Sequence, residues 1–259
     1  MTAPPTLRGV MVSLKRQLAK TVERLTGALI VHPAEIHQLP ERLCLRQMFD
    51  RFGVDAVFDV GANEGQYATQ LRRDVGFKGA IISFEPIPEV AERLRASAEA
   101  DPLWFVAPLA LDREGGPATF NVMTASTFSS LNRPTADQPE IYEGQNTVAR
   151  QIQVMRSTVA AELPKWREQL GFSRPFLKMD TQGSDLAVVE GAGDAIQSFV
   201  GLQSELAVRH LYEGTRGFAE VLDVYANLGF RLSALVPCSR GHFPDLMEID
   251  CIMYRADAA

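Results

Sequence analysis

The sequence predicts an α/β domain, a mostly parallel β-sheet with helices on both faces. Three observations predict it. Short runs rich in Val, Ile and Phe alternate with charged helical patterns; the first run closes on a glycine loop, "VFDVGANEGQY"; the second closes on an acid–proline step, "FEP". At 259 residues, 46% hydrophobic and 22% charged, the chain suits one large globular domain better than two small ones. A net charge of −6 argues against a partner held by phosphate neutralisation, so no nucleic acid is expected.

The elements follow in order. After a Pro-rich start, Leu7, Val10, Met11, Leu14, Leu18, Val22, Leu25 and Leu29 recur in steps of three and four, one apolar helical face in a locally basic segment. That face packs on the chain's own domain or on a second copy, or docks on a membrane surface. Residues 1–52 are expected to form an N-terminal helical segment on the core, with a second helix over 40–52 that stops near Gly53. The main domain then spans 53–259. Its strands are 55–60, 80–85, 103–111, 175–180 and 200–206, with helices over 65–74, 88–100, the segment "SDLAVVEGA" and 216–228. Residues 231–237 and 246–255 form an antiparallel pair at one edge. Residues 112–158 interrupt the alternation with two extra strands, "ATFNV" and "RQIQVM", around a Ser/Thr/Asn/Pro-rich loop placed to reach over the sheet's ligand edge. Cys44, Cys238 and Cys251 are far apart, without CxxC spacing, so a reducing cytoplasm is expected. No signal peptide or membrane span is read.

Ligands bind open parallel sheets outside the carboxyl ends of the strands. Asp59 closes the first strand, and Gly61, Asn63 and Gly65 form the loop behind it. Glycine permits close backbone approach and sharp turns. A dinucleotide fingerprint needs G-x-G-x-x-G, and Asn63 stands in place of its second glycine. An acid ahead of the loop suits an ammonium or sulfonium better than phosphates; a plain strand–helix turn is the alternative. Glu85 closes the second strand and can accept hydrogen bonds from both hydroxyls of a ribose. Together these point to a nucleoside ligand without a phosphate chain.

The segments "VFDVGANEGQY", "ISFEPIPEV", "STFSSL", "FLKMDTQGSDLAVVEGAG", "LQSELAVRHLYEG" and "LMEIDCIMYR" resemble, in order from about residue 55 to 255, the FkbM family of S-adenosylmethionine-dependent methyltransferases. The resemblance implies a Rossmann-like seven-stranded methyltransferase sheet with an antiparallel C-terminal edge strand. It implies S-adenosyl-L-methionine as donor and O-methylation of a hydroxyl on a sugar, glycan or secondary metabolite. Carried over, Asp59, Gly61, Asn63 and Gly65 would line the methionine part, Glu85 the ribose, and Leu109, Ala110 and Leu111 the adenine. Ser129 and Ser130 would lie close to the cofactor or substrate. Thr181 and Ser184 depart from the apolar or small residues usual in their block.

On the acceptor side, Asp180 and Glu205 end strands that are neighbours in such a sheet. The first reading is a general base or substrate-positioning pair. A helix cap is the second, and a shared divalent ion such as magnesium is the third. His210, on the loop after Glu205, is of a residue type suited to act as a base at neutral pH. His242 lies on the loop between the last two strands. Lys178 either pairs with an acid or sits at an exposed strand end. The rival functions are a nicotinamide-dependent oxidoreductase, disfavoured by the missing fingerprint, and a non-catalytic binding module on the same fold.

Overall fold

A computed structural model describes residues 21–22, 25–28, 30–238 and 244–258. The chain divides into two compact units, Met1–Leu39 and Pro40–Ala259. In the first, the described residues include helical positions at 21–22 and 25–26 and a 3-10 helix, Pro33–Gln38. Residues 7–20 of the expected amphipathic helix, the homo-oligomer contact expected of it, and His242 lie outside the described residues.

The second unit is built on a seven-stranded sheet. Helix α1 (Leu39–Phe52) precedes β1 (Ala56–Val60), α2 (Gln66–Gln70, running on as a π-helical turn to Val75), β2 (Ala80–Phe84), α3 (Pro88–Ala98) and β3 (Trp104–Ala107). Next come β4 (Ala110–Leu111), β5 (Gly116–Met123), β6 (Val148–Ser157), α4 (Val159–Leu170), β7 (Pro175–Met179) and α5 (Asp185–Ala192). The chain closes with β8 (Gly201–Ala207), α6 (Phe218–Asn227), β9 (Phe230–Pro237) and β10 (Glu248–Arg255). The strand order is β3-β2-β1-β7-β8-β10-β9, with β10 antiparallel to both of its neighbours and the other strands parallel.

All five residues of β1, β2 and β7 are buried, which is why those runs are nearly unbroken in apolar residues. One face of the sheet packs Phe58, Ile82, Leu177 and Leu202 against α4, α5 and α6. The other packs Val57, Ile81, Phe176 and Ile252 against Leu45, Phe49 and Phe52 of α1 and Leu71 beyond α2. Order reverses between β1 and β7, the switch point where a crevice opens at the strand ends.

Two departures from the sequence reading are local. The run 103–111 breaks after Ala107, because Pro108 lacks the N–H that a continued strand would donate. Ala110–Leu111 pairs instead with β6 in a second, three-stranded sheet, β4-β6-β5. Helix α4 is absent from the sequence reading: Pro164 sits inside it and blurs its periodicity, while Thr158 caps it by accepting the Ala161 N–H at 3.1 Å. The two extra strands expected in 112–158 are β5 and β6, which pair antiparallel, and Met123 at the end of β5 and Tyr142 in the loop between them pack against Leu211, Tyr212 and Met247.

Candidate active site

The residues singled out at strand ends gather around the β1–β7 switch point. Cross-strand partners share a sheet face, and register places Ser83, Asp59, Lys178 and Gln203 in one row across β2, β1, β7 and β8. This polar row runs beneath α1 and α2. Asp59 is fully buried; Ser83 Oγ donates to it at 3.0 Å, and Lys178 Nζ stands 3.3 Å from its other oxygen. Lys178 is not at an exposed strand end. It is buried, lies over the Tyr67 ring at 5.2 Å, and reaches Asp180 Oδ2 at 3.6 Å. Burial opposes its charge, yet Asp180 and Asp59 hold the ammonium above its ordinary pKa. Gln203 continues the row, accepting from Tyr67 Oη and donating to Glu41 of α1, each at 2.9 Å.

Asp180 and Glu205 meet through Gln182. Its Nε2 donates to Asp180 Oδ1 at 2.9 Å and to Glu205 Oε2 at 2.7 Å, and its Oε1 accepts from Tyr212 Oη at 2.8 Å. The Asp180 side chain keeps 42% of its surface exposed, so it faces the crevice while held on both sides. Burial, followed by the nearby Glu248 and Asp180, pushes the Glu205 carboxyl well above its ordinary value. Neither acid caps the following helix. That turn is tied by Asp185, which accepts from the Thr181 N–H and hydroxyl through one oxygen, and from Ser204 Oγ and the Glu205 N–H through the other.

At the end of β2, Glu85 Oε2 accepts the Asn63 N–H and Oε1 the Ile87 N–H, both at 2.9 Å. Burial raises its pKa to about 7, against the pull of those two amides. Asn63 Oδ1 is buried and has no hydrogen-bond partner among the described residues. Asn63 and Gln182 are the non-glycine residues with positive φ among those described, at 47° and 55°. Such strain gathers where a loop must present specific atoms, and these two flank the switch point. Gly61 has φ 75°, and a Cβ there would stand 1.9 Å from the Asp180 carbonyl oxygen. Its close approach is to the end of β7. Gly65 (φ 86°) packs against Trp104 and Leu94.

The remaining residues are more dispersed. Leu109 is half-buried against the core, and Ala110 belongs to β4. Ser130 is fully buried; its hydroxyl donates to the Gln182 carbonyl at 2.7 Å, tying the 112–158 insertion to the Asp180 turn. Ser129 Oγ accepts the Met123 N–H. His210 is exposed and bonds Thr215 on its own loop at 3.1 Å. Among the described residues, no three His, Cys, Asp or Glu side chains are grouped to hold a metal ion, and no helix is long and apolar enough to cross a membrane. Sequence reasoning left Gln182, Gln203, Tyr67, Glu41, Asp185 and Tyr212 without roles. Gln203 was within reach, since it precedes Glu205 by two and strand alternation puts both on one face.

Comparison with known proteins follows the same lines. The model of the Methyltransferase FkbM domain matches residues 59–232. No curated protein matches the chain. Among solved structures, the methyltransferase FkbM from Methylobacillus flagellatus KT is 13% identical with a TM-score of 0.46, over 95% of this chain and 60% of that one. Fibrillarin from Aeropyrum pernix, with natively bound S-adenosyl-L-methionine, is 12% identical with a TM-score of 0.43, over 77% of this chain and 66% of that one. The chain thus spans less than two thirds of the length of these two proteins. An O-methyltransferase from Bacillus cereus in complex with SAH is 13% identical with a TM-score of 0.44, over 93% of this chain and 91% of that one. Because the family model covers more than half of the sequence, this chain belongs to the FkbM methyltransferase domain family.

Proposed function

We propose that this protein is an S-adenosylmethionine-dependent O-methyltransferase acting on a hydroxyl of a sugar, glycan or related secondary metabolite. The observation that carries the reading is the half-exposed Asp180 carboxylate, pinned between Lys178 and Gln182 beside the strand that bears the Asp59–Gly65 loop. The residues fit the donor. Glu85 keeps lone pairs beyond those used by two amides and would accept the ribose hydroxyls, while the orphaned Asn63 Oδ1 would accept from the donor's ammonium. When bound, S-adenosylmethionine supplies a methyl group made electrophilic by its sulfonium. Asp180 takes the proton that the acceptor hydroxyl loses, and Lys178 and Gln182 hold its two oxygens in place for that transfer. Glu205, on the far side of Gln182, orients the acceptor.

Residues 53–259 form the catalytic domain in this reading, with 112–158 as its cap. Thermal-shift measurements with S-adenosylhomocysteine, NAD and NADP test it. The expected result is stabilisation by S-adenosylhomocysteine alone. A response confined to a nicotinamide cofactor would sink the proposal, and labelled donor with a panel of hydroxylated sugars would then identify the acceptor if it stands.

A further inference from the structure

Most described arginines are engaged: Arg156 by Asp112 and Glu114, Arg72 by Asp101, Arg255 by Asp257. Arg133, Arg209, Arg216 and Arg231 make no ion pair, side-chain hydrogen bond or ring contact with any described residue, and all four are exposed. Arg231 lies at the start of β9, at the amino ends of the parallel strands. The other three sit together at the opposite end.

Arg133 lies on a segment stitched to the one carrying Arg209 and Arg216: the Thr135 N–H donates to the Leu211 carbonyl at 3.0 Å and the Glu213 N–H to the Arg133 carbonyl at 2.9 Å. Pro134 and Tyr212 form an isolated bridge between them. Arg216 lines a solvent-open cleft. Glu205, Glu248 and Asp185 line it too. Arg216 thus shares the cleft with three carboxylates, and Arg133 and Arg209 are exposed on the segments joined to its loop, in a chain of net charge −6. Glu213, the acid on the same loop, pairs with none of the three.

A neutral polyol needs no such arginines, whereas a guanidinium fork matches phosphate oxygens two at a time. We infer that the acceptor is a sugar carried on a phosphate or diphosphate, its hydroxyl directed past Glu205 toward Asp180 and its phosphates on Arg133, Arg209 and Arg216. The inference rests on the reading of Asp180 and Glu205 as the acceptor side.

Calorimetric titration of the full chain with inorganic pyrophosphate, uridine diphosphate-glucose, farnesyl diphosphate, glucose and glucuronate tests it. Pyrophosphate and at least one diphosphate ester are expected to bind, more weakly at high salt, and free glucose is not. The better of the two esters identifies a nucleotide or a lipid as the carrier. Each single Arg→Ala change at these three positions should weaken binding about three- to tenfold and the triple change about a hundredfold, while Arg231→Ala leaves it unchanged. S-adenosylhomocysteine binding, measured on the same variants, reports separately on the donor reading and should persist in all of them. Pyrophosphate binding that survives the triple change, no phosphate binding at all, or binding of glucuronate alone would overturn the inference.

Discussion

At the scale of single residues, Glu85 and Asp180 carry the two halves of the proposed site. Burial holds the Glu85 carboxyl near 7, within the range of ordinary assays. Ribose hydroxyls donate to the ionised form and stabilise it, so donor binding must release a proton wherever free Glu85 is still protonated. S-adenosylhomocysteine affinity is therefore expected to rise with pH up to about 7 and then level off. Calorimetry in two buffers of different ionisation enthalpy reads the proton directly, and proton uptake would refute the assignment. Glu85→Gln should flatten that profile and weaken binding by about 1.5–3 kcal/mol. Asp180→Asn would remove the proposed proton acceptor and leave Glu85 and Asn63, the proposed donor contacts, in place. Turnover should fall by about 10²–10⁴-fold with donor affinity nearly intact; turnover at the wild-type rate would make Asp180 structural.

At the scale of elements, the turn after β1 and the turn after β7 act as one piece. Gly61 presses its Cα against the Asp180 carbonyl with no room for a methyl group, and its φ of 75° is unfavourable for any other residue. Asp185 latches the second turn to β8, and Ser130 fastens the inserted hairpin to the same turn. Gly61→Ala must push the two strand ends apart. A loss of about 2–4 kcal/mol in urea unfolding is expected, combining backbone strain with overpacking. An unchanged midpoint would show that the two turns are not in contact.

At the scale of the whole molecule, the buried polar row decides which charges the fold can tolerate. Lys178 is the cation between Asp59 and Asp180, and all three are inside or at the lip of the sheet, in a row with the neutral Ser83 and Gln203. Removing one member of a buried pair leaves the other uncompensated, which costs about 3–5 kcal/mol. Lys178→Met should lose that much in denaturant unfolding, and Asp59→Asn combined with it should recover most of the loss. If the double variant is no more stable than the single one, Lys178 does not serve as the counter-charge of Asp59.

The sequence by itself determined the sheet, the insertion and the ends of strands where chemistry belongs, because apolar runs, glycine loops and terminal acids are local patterns that one strand or turn reveals. It did not reveal α4, whose internal proline masks the period, or the break at Pro108 that moves Ala110–Leu111 to another sheet. Nor could it tell which partner each charged group would find. Lys178 had two readings until β1 and β7 were set side by side; Gln182 had none until its amide was placed between two carboxylates drawn from separate strands. Only the tertiary structure settles such pairings. They depend on register and burial between segments more than a hundred residues apart, as with Asp59 and Lys178, and no local pattern encodes that distance.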